Sequence, residues 1–431
     1  MKSMKKIVAI VLAALLVVAV FAGCSKKDNS GETTKAAEQT STIPADFKVG
    51  FIFLHDENST YDLNFINGAK EACKELGIAK ENVIMKTGID ESNACYEAAM
   101  DLVDQGCKFI FADSFGHEDY MIQAAKEATE VQFFHATGTK AHTEKLANYH
   151  NAFASIYEGR YLAGIAAGMK LNELKDAGKL KGSTPKMGYV GAFTYAEVIS
   201  GYTSFYLGAK SVCPDVTMDV TFTGSWYDET AEKEAATKLI ETNKCDLISQ
   251  HADSMGAPTA CENAGVPNIS YNGSTISACP NTFIVSSRIN WAPYMKLAIE
   301  NVANGKNADT GYDWTGTLET GSVLLTEVNE KAAAKGTQEA IDAAKAELAA
   351  GTRHVFDVAN FTVTVTADKN VNAKVDDKGM LTSYMADVDS DAKFTGDTEA
   401  VKDGYFHESE FRSAPYFDIQ IDGINLLDTK F

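Results

Sequence analysis

His251, Asp253 and Ser254 place an imidazole, a carboxylate and a hydroxyl on one short stretch, the groups used in acid–base or nucleophilic catalysis. Neighbours on one stretch seldom converge as a triad, and no Gly-x-Ser-x-Gly elbow accompanies them. A hydrolase is therefore a weak reading of these residues. His and Asp at alternate positions also suit a metal, but no second cluster of His, Cys or Glu has ligand spacing, so no metal site is expected. Gly-x-Gly-x-x-Gly and P-loop patterns are absent. That removes the usual phosphate cradles, and no cofactor is expected.

What remains is recognition without covalent chemistry. Polar and aromatic residues recur just after short β-rich runs. In the first half these sets are His55-Asp56-Glu57-Asn58, Asp113-Ser114-Phe115-Gly116 and His135-Ala136-Thr137-Gly138. In the second they are Gly191-Ala192-Phe193, Gly224-Ser225-Trp226-Tyr227, His251-Ala252-Asp253-Ser254 and Tyr271-Asn272-Gly273. In open parallel sheets, ligands bind beyond the carboxyl ends of the strands. The mixture suits a flat ring with polar edges: aromatic faces stack on it while carboxylate and amide groups read its rim. Two of the three tryptophans, Trp226 and Trp291, lie at or near such ends. Core packing is the commoner fate of any one aromatic; the recurrence in both halves is what points to a site.

The elements that must position these residues alternate between strand and helix. Strand patterns run over 47–54, 82–86, 108–112 and 131–135, with helical patterns over 61–76, 91–105 and 118–129 between them. A second round has strands at 186–190, 217–223, 246–251 and 268–271, with helices near 198–212, 230–243 and 255–264. Two βα rounds of similar rhythm predict two parallel-sheet lobes. A helix over 154–170 carries the chain between them. A strand at 283–288 and a helix at 292–304 are expected to return it to the first lobe. Such crossings make a hinged pair with a central cleft, the type I periplasmic-binding-protein architecture. The tail has its own hydrophobic pattern: helical over 327–350, strand-like over 361–366, with a hairpin turn at Lys374-Val-Asp-Asp-Lys-Gly379.

The N-terminus reads as an export signal. Lys2, Lys5 and Lys6 precede an unbroken apolar run from Ile7 to Phe21, which at about 15 residues is shorter than the ~20 a spanning helix needs. Ala22, Gly23 and Cys24 follow; Phe-Ala-Gly-Cys resembles a bacterial lipobox, in which Cys24 would carry diacylglycerol. Beyond Cys24 the chain to Pro44 is polar and predicts a flexible tether. A formal charge of -20 repels nucleic acid and anionic lipid surfaces. Seven further cysteines lack Cys-x-x-Cys spacing, and an odd number argues against a full disulfide framework.

Several motifs in one order carry a resemblance: Ser114-Phe115-Gly116, His135-Ala136-Thr137-Gly138, Glu158-Gly-Arg-Tyr-Leu-Ala-Gly164, Ser225-Trp226-Tyr227-Asp228 and His251-x-Asp253-Ser254. Over about 47–316 the chain resembles the basic membrane protein family of bacterial lipoproteins, purine-nucleoside or nucleobase receptors of ABC importers. The resemblance implies that the Tyr61-Asp62 pair matches a Phe-Asn whose ring stacks on the base. It also implies that Phe115 supplies a second ring, and that Asp253 and Asn272 contact the ligand from the second lobe. The chain departs from the family at Leu54, Asn272 and Ile289, where Asp, Asp and Lys are common. Those departures leave base recognition better supported than ribose recognition.

The expectation is thus an α/β protein. Its parts are a signal peptide (1–23), a lipidated tether (24–45), a first lobe (46–155 and 283–320), a second lobe (156–282) and a C-terminal α+β extension (321–431). The expected ligand-binding residues are Tyr61, Asp62, Ser114, Phe115, Gly116, Phe193, Trp226, His251, Asp253, Asn272 and Trp291. The expected partners are a purine nucleoside or base, an ABC permease and the membrane through the lipid anchor. No nucleic acid is expected, and the chain is expected to be a monomer at the extracytoplasmic face of the cell membrane. Another small solute such as a sugar, or a surface sensor or adhesin, stays open.

Overall fold

The computed structural model describes residues 43–306, 311–389 and 398–429. The signal peptide, Cys24 and nearly all of the tether lie outside the described residues. The first lobe is built from β1 (Lys48–Ile52), α1 (Thr60–Glu75), β2 (Val83–Lys86), α2 (Asn93–Asp104), β3 (Cys107–Ala112), α3 (Glu118–Glu127), β4 (Gln132–Ala136), α4 (Ala141–Glu144) and β5 (Tyr149–Ala154). The second follows as α5 (Ile156–Asp176), β6 (Lys186–Gly191), α6 (Ala196–Val212), β7 (Thr217–Phe222), α7 (Glu229–Glu241), β8 (Leu247–His251), α8 (Gly256–Ala264), β9 (Asn268–Tyr271) and β10 (Phe283–Ile289). Then come α9 (Ala292–Ala303), β11 (Asp313–Gly316), β12 (Val323–Leu325), α10 (Thr337–Ala349), β13 (Ala373–Val375), β14 (Leu381–Ala386), β15 (Thr398–Glu399), β16 (Val401–Lys402), β17 (Tyr405–Phe406) and β18 (Ile424–Leu426).

Six parallel strands form the first sheet in the order β11-β5-β4-β3-β1-β2. The second has seven, β12-β10-β9-β8-β6-β7-β18, with only β12 antiparallel. Each lobe therefore winds outward both ways from its first strand, and the first five strands of the two lobes follow the same order. Strands buried on both faces read as continuous apolar runs, as in Phe109 to Ala112, all fully buried.

The chain passes between the sheets near Ser155, near Asn290 and through residues 317–322. Paired backbone bonds tie these passages together: Ser155 N–H donates to Gly316 O at 2.7 Å, and Asn290 N–H to Ser322 O at 2.7 Å. These passages are the hinge.

Three expectations need correction. The strand 283–289 does not return to the first lobe but pairs with β9; the chain goes back with α9, which packs on α1 and β3, and with β11, which pairs with β5. Residues 361–366 form no strand, because their backbone groups bond elsewhere: Val363 N–H to Gly379 O, and Asp422 N–H to Thr362 O. The tail is not a separate appendage. Phe356 stacks on Phe417 (4.2 Å, 11°) in a core continuous with both lobes, and β18 pairs with β7 to complete the second sheet.

The tail also bridges the lobes behind the hinge. Ser413 N–H and Oγ–H donate to Asp313 Oδ1 on β11 (3.0 and 2.8 Å), while Ser200 Oγ–H of α6 donates to Glu408 Oε2 (3.0 Å). The Glu408 carboxyl is buried and accepts from Tyr416 and Phe417 N–H as well. Burial pushes it up to about 7, against those hydrogen bonds. The folded chain thus keeps a proton that the unfolded chain releases above its usual 4.5, so stability falls as pH rises from about 4.5 to 7. Glu408→Gln should flatten that fall by up to about 3 kcal/mol, read as melting temperature against pH. Glu232, raised to about 7 by burial, keeps its own share of the slope in the variant. Identical slopes in wild type and variant would rule Glu408 out.

Candidate ligand-binding cleft

In open α/β sheets the ligand crevice lies where strand order reverses, beyond the carboxyl ends. That point falls between β1 and β3 in the first sheet and between β6 and β8 in the second. The loops leaving these strands face each other across one cleft. Its walls are Leu54, His55, Tyr61, Asp62, Ser114, Phe115 and Thr137 from the first lobe, and Glu197, Trp226, His251, Asp253 and Tyr271 from the second. The space between them, counted out to the open solvent at its mouth, holds about 370 Å³ free of protein atoms.

The lobes touch. Thr60 N–H and Oγ1–H donate to Asp253 O (3.3 and 3.2 Å), and Asn64 Nδ2–H donates to Asn272 O (2.8 Å). Across the cleft, Phe115 packs on Tyr195 (5.2 Å) and His55 on Tyr227 (5.4 Å). This is a closed conformation. Two residues in the left-handed region occupy equivalent strand ends, Thr137 (φ 64°) after β4 and Asn272 (φ 65°) after β9. Non-glycine residues held there cost about 1–3 kcal/mol each and cluster at functional sites.

Local sequence fixes several of these side chains. Ser59 caps α1: its Oγ accepts from Asp62 N–H and donates to Asp62 Oδ2 (2.6 Å), a reciprocal cap that sets Asp62 at the cleft. Tyr61, on the same turn, donates its hydroxyl to Asp113 O (2.8 Å) and rests its ring on Phe65 (4.8 Å). Ser114 Oγ–H donates to Glu91 Oε1 (2.6 Å), which also accepts from Gly116 N–H (2.7 Å). His251 Nε2 lies 3.5 Å from Glu197 Oε1, and its ring packs on Tyr271 (4.3 Å).

The cleft gathers acid. Burial opposes ionisation of Asp62, but hydrogen bonds from His55 and Ser59 outweigh it and hold its carboxyl below the usual range. Asp113, fully buried behind Tyr61, is held well above that range by burial and then by the Asp62 charge. Asp253 is raised in the same way by burial, then by Asp62, Glu232 and Glu197. Burial lowers His251 despite Glu197, keeping its imidazole neutral. Among the described residues, no group of three or more His, Cys, Asp or Glu side chains is arranged to hold a metal ion.

Of the residues expected to bind ligand, Tyr61, Asp62, Ser114, Phe115, Trp226, His251 and Asp253 line the cleft. Four do not. Gly116 backs the Ser114 loop against Glu91, where a Cβ would meet the Glu91 side chain at 2.6 Å. Phe193 sits outside the lining, stacked on Tyr195 (5.1 Å) and edge-on to Trp226 (5.1 Å). Asn272 is buried and donates to Asp253 Oδ1 (3.2 Å), orienting that carboxyl. Trp291 is a correction: it is 1% exposed and stacks on Phe65 (4.3 Å, 22°) inside the first-lobe core. Leu54, His55, Thr137, Glu197 and Tyr271 also line the cleft but are not among the expected binders, although His55, Thr137 and Tyr271 stand in the strand-end sets. Glu197 had a signal, an acid in the first turn of the helix after β6. Tyr271 closes β9, and its buried hydroxyl has no hydrogen-bond partner.

The chain is similar to several known proteins. A purine-binding protein of Brucella abortus (strain 2308) is 32% identical over 250 residues, which cover 57% of this chain and 66% of that one. A putative ABC transporter glucose-binding protein of Haloferax volcanii is 33% identical over 218 residues, 51% of each chain. The matches thus span about half to two thirds of the curated relatives. A solute-binding protein of an ABC transporter system from Aeropyrum pernix K1 shares the fold, with a TM-score of 0.58 at 18% identity over 75% of this chain and 94% of that one. Residues 52–350 match the family profile described as ABC transporter substrate-binding protein, PnrA-like. With well over half of its length matched, the chain belongs to this Bmp family of ABC transporter substrate-binding proteins.

Proposed function

We propose that the protein is the extracytoplasmic, lipid-anchored binding component of an ABC importer, anchored through Cys24, and that it closes on a purine nucleoside or free purine. The observation that carries the ligand reading is the convergence of aromatic faces (Tyr61, Phe115, Trp226, Tyr271) and carboxyl groups (Asp62, Glu197, Asp253) from both lobes on one cleft. A flat ring with hydrogen-bond donors on its edge satisfies both. The relative named as purine-binding supports the same reading. Leu54 presents an apolar group to the cleft, and Ile289 is buried in the second sheet. With neither an Asp nor a Lys there, base recognition has more support than ribose recognition. Hinge opening admits the ligand, closure removes it from water, and the closed form is what a permease would engage. No covalent step is required.

A sugar is the second reading, because the cleft's carboxyl groups also accept from vicinal hydroxyls and one relative is named as glucose-binding. A thermal-shift panel separates the two. Adenosine, guanosine, inosine or their bases should raise the melting temperature, since ligand at a hundred times its Kd adds about 2.7 kcal/mol to the folded state. Glucose, ribose and amino acids should leave it unchanged. A sugar that stabilises where no purine does would refute the purine reading.

A further inference from the structure

The walls of the cleft are unbalanced in charge. Three carboxyl side chains face it from three elements: Asp62 on α1, Glu197 on α6 and Asp253 after β8. Asp113 stands directly behind, with Oδ2 buried and unpartnered. Among the described residues lining the cleft there is no lysine or arginine. Arg160 stands outside the lining, with its guanidinium 5.3 Å from the Tyr271 ring centre. Its Nη groups donate to Ser249 Oγ (2.7 Å), Tyr189 Oη, Ser287 Oγ and Ser270 O, while its buried Nε has no partner. Four aromatic side chains complete the walls, and ring faces attract cations when water is excluded. Tyr271 adds a second, independent sign of a missing partner: a hydroxyl 98% buried by its 2% exposure, in the cleft wall and bonded to nothing.

Resting on the purine reading above, we infer that the cleft selects positively charged N-heteroaromatic rings, so that a purine cation binds more tightly than its neutral isomer. The ring supplies the charge that the walls lack, its aromatic face meets Phe115 and Trp226, and a ring or substituent acceptor takes the Tyr271 hydroxyl. Binding then draws off a proton. Asp253 faces Asp62 from α1, Glu197 from α6, Glu232 from α7 and the amide of Asn272, with His55 beside Asp62 (3.3 Å) and His251 beside Glu197 (3.5 Å); burial and then the neighbouring carboxylates hold its carboxyl well above the usual range. A cation placed between these groups lets Asp253 ionise.

The test is calorimetric titration of the full chain with 1-methyladenosine in weakly acidic buffer, where its ring carries a positive charge, against its neutral isomer N6-methyladenosine and against adenosine. The expected result is roughly tenfold tighter binding of the cation. The heat should also vary with the ionisation enthalpy of the buffer, because a proton is released. In Glu197→Gln and Asp253→Asn the ratio of cation to adenosine affinity should shrink toward unity, whatever the change in adenosine affinity itself. Adenosine binding with equal or weaker affinity for the cation overturns this inference alone. Failure of all three ligands overturns it together with the purine reading.

Discussion

Trp291→Ala is expected to lower the stability of the protein by about 3–5 kcal/mol and, in the protein that remains folded, to leave purine affinity unchanged. The indole stacks on Phe65 at 4.3 Å and meets Phe111, Phe153 and Tyr294 edge-on at 5.9, 6.3 and 6.5 Å. Removing it leaves a cavity that a close-packed sheet and helix cannot collapse. Each aromatic pair adds about 0.5–1.5 kcal/mol beyond its buried area. Phe115→Ala should behave in the opposite way. Its ring is 36% exposed at the cleft mouth, so stability should move by no more than about 0.5 kcal/mol. All purines should weaken alike by about 1–3 kcal/mol, the range for a lost stacking partner. Urea midpoints at constant slope read the first effect and calorimetric titration the second. A Trp291→Ala protein that is stable but no longer binds would return Trp291 to the cleft.

Gly208→Ala and Gly164→Ala are each expected to destabilise by at least about 3 kcal/mol, the upper end for overpacking. Helices α5 and α6 cross with almost no gap between backbones. A Cβ on Gly208 would stand 2.0 Å from Tyr161 O, and one on Gly164 would stand 2.1 Å from Phe205 O. Real Cβ contacts do not fall below 3.0 Å, and the obstacle is helix backbone rather than a side chain free to rotate. The helices must separate. Because α5 begins at the hinge passage near Ser155, their separation also shifts the hinge and should weaken ligand binding. Gly182→Ala is the control: it is exposed, and its nearest neighbour stands at 3.9 Å. Equal tolerance at all three positions would show that the helices are less tightly packed than described.

The hydrogen bonds between the lobes at the cleft run from backbone, hydroxyl and amide groups to backbone carbonyls. Thr60 to Asp253 O and Asn64 to Asn272 O hold the lobes through groups that water satisfies equally well when they part. Hydrogen bonds exchanged with water have a small net worth, about 0.5–1.5 kcal/mol each. Closure held by such bonds is shallow enough for a ligand to shift, provided that its own contacts differ between the two states.

Much of the cleft was legible in the sequence, because the rule that finds it is local. A strand end followed by Ser114-Phe115, Trp226 or His251-x-Asp253 needs only the β-rich run before it, and the Ser59–Asp62 cap is written within a single turn. The alternation of strands and helices likewise follows from periodicity, which neighbouring residues determine by themselves. The tertiary structure decided what depends on distant partners. Tyr149–Ala154 is a strand only because β4 and β11 flank it; with His150 and Asn151 in its middle, the segment shows no strand period of its own. Phe283–Ile289 looked free to return to the first lobe, yet β9 offers it an edge in the second. Trp291 follows a strand end just as Trp226 does, but α9 turns it into the core against Phe65 while Trp226 faces the cleft. The three-residue strand β18 has too few residues to show a period, and β7 alone gives it one. Local order along a chain sets which segments are strand, helix or turn, whereas hydrogen-bond partners and burial are settled by segments tens or hundreds of residues away.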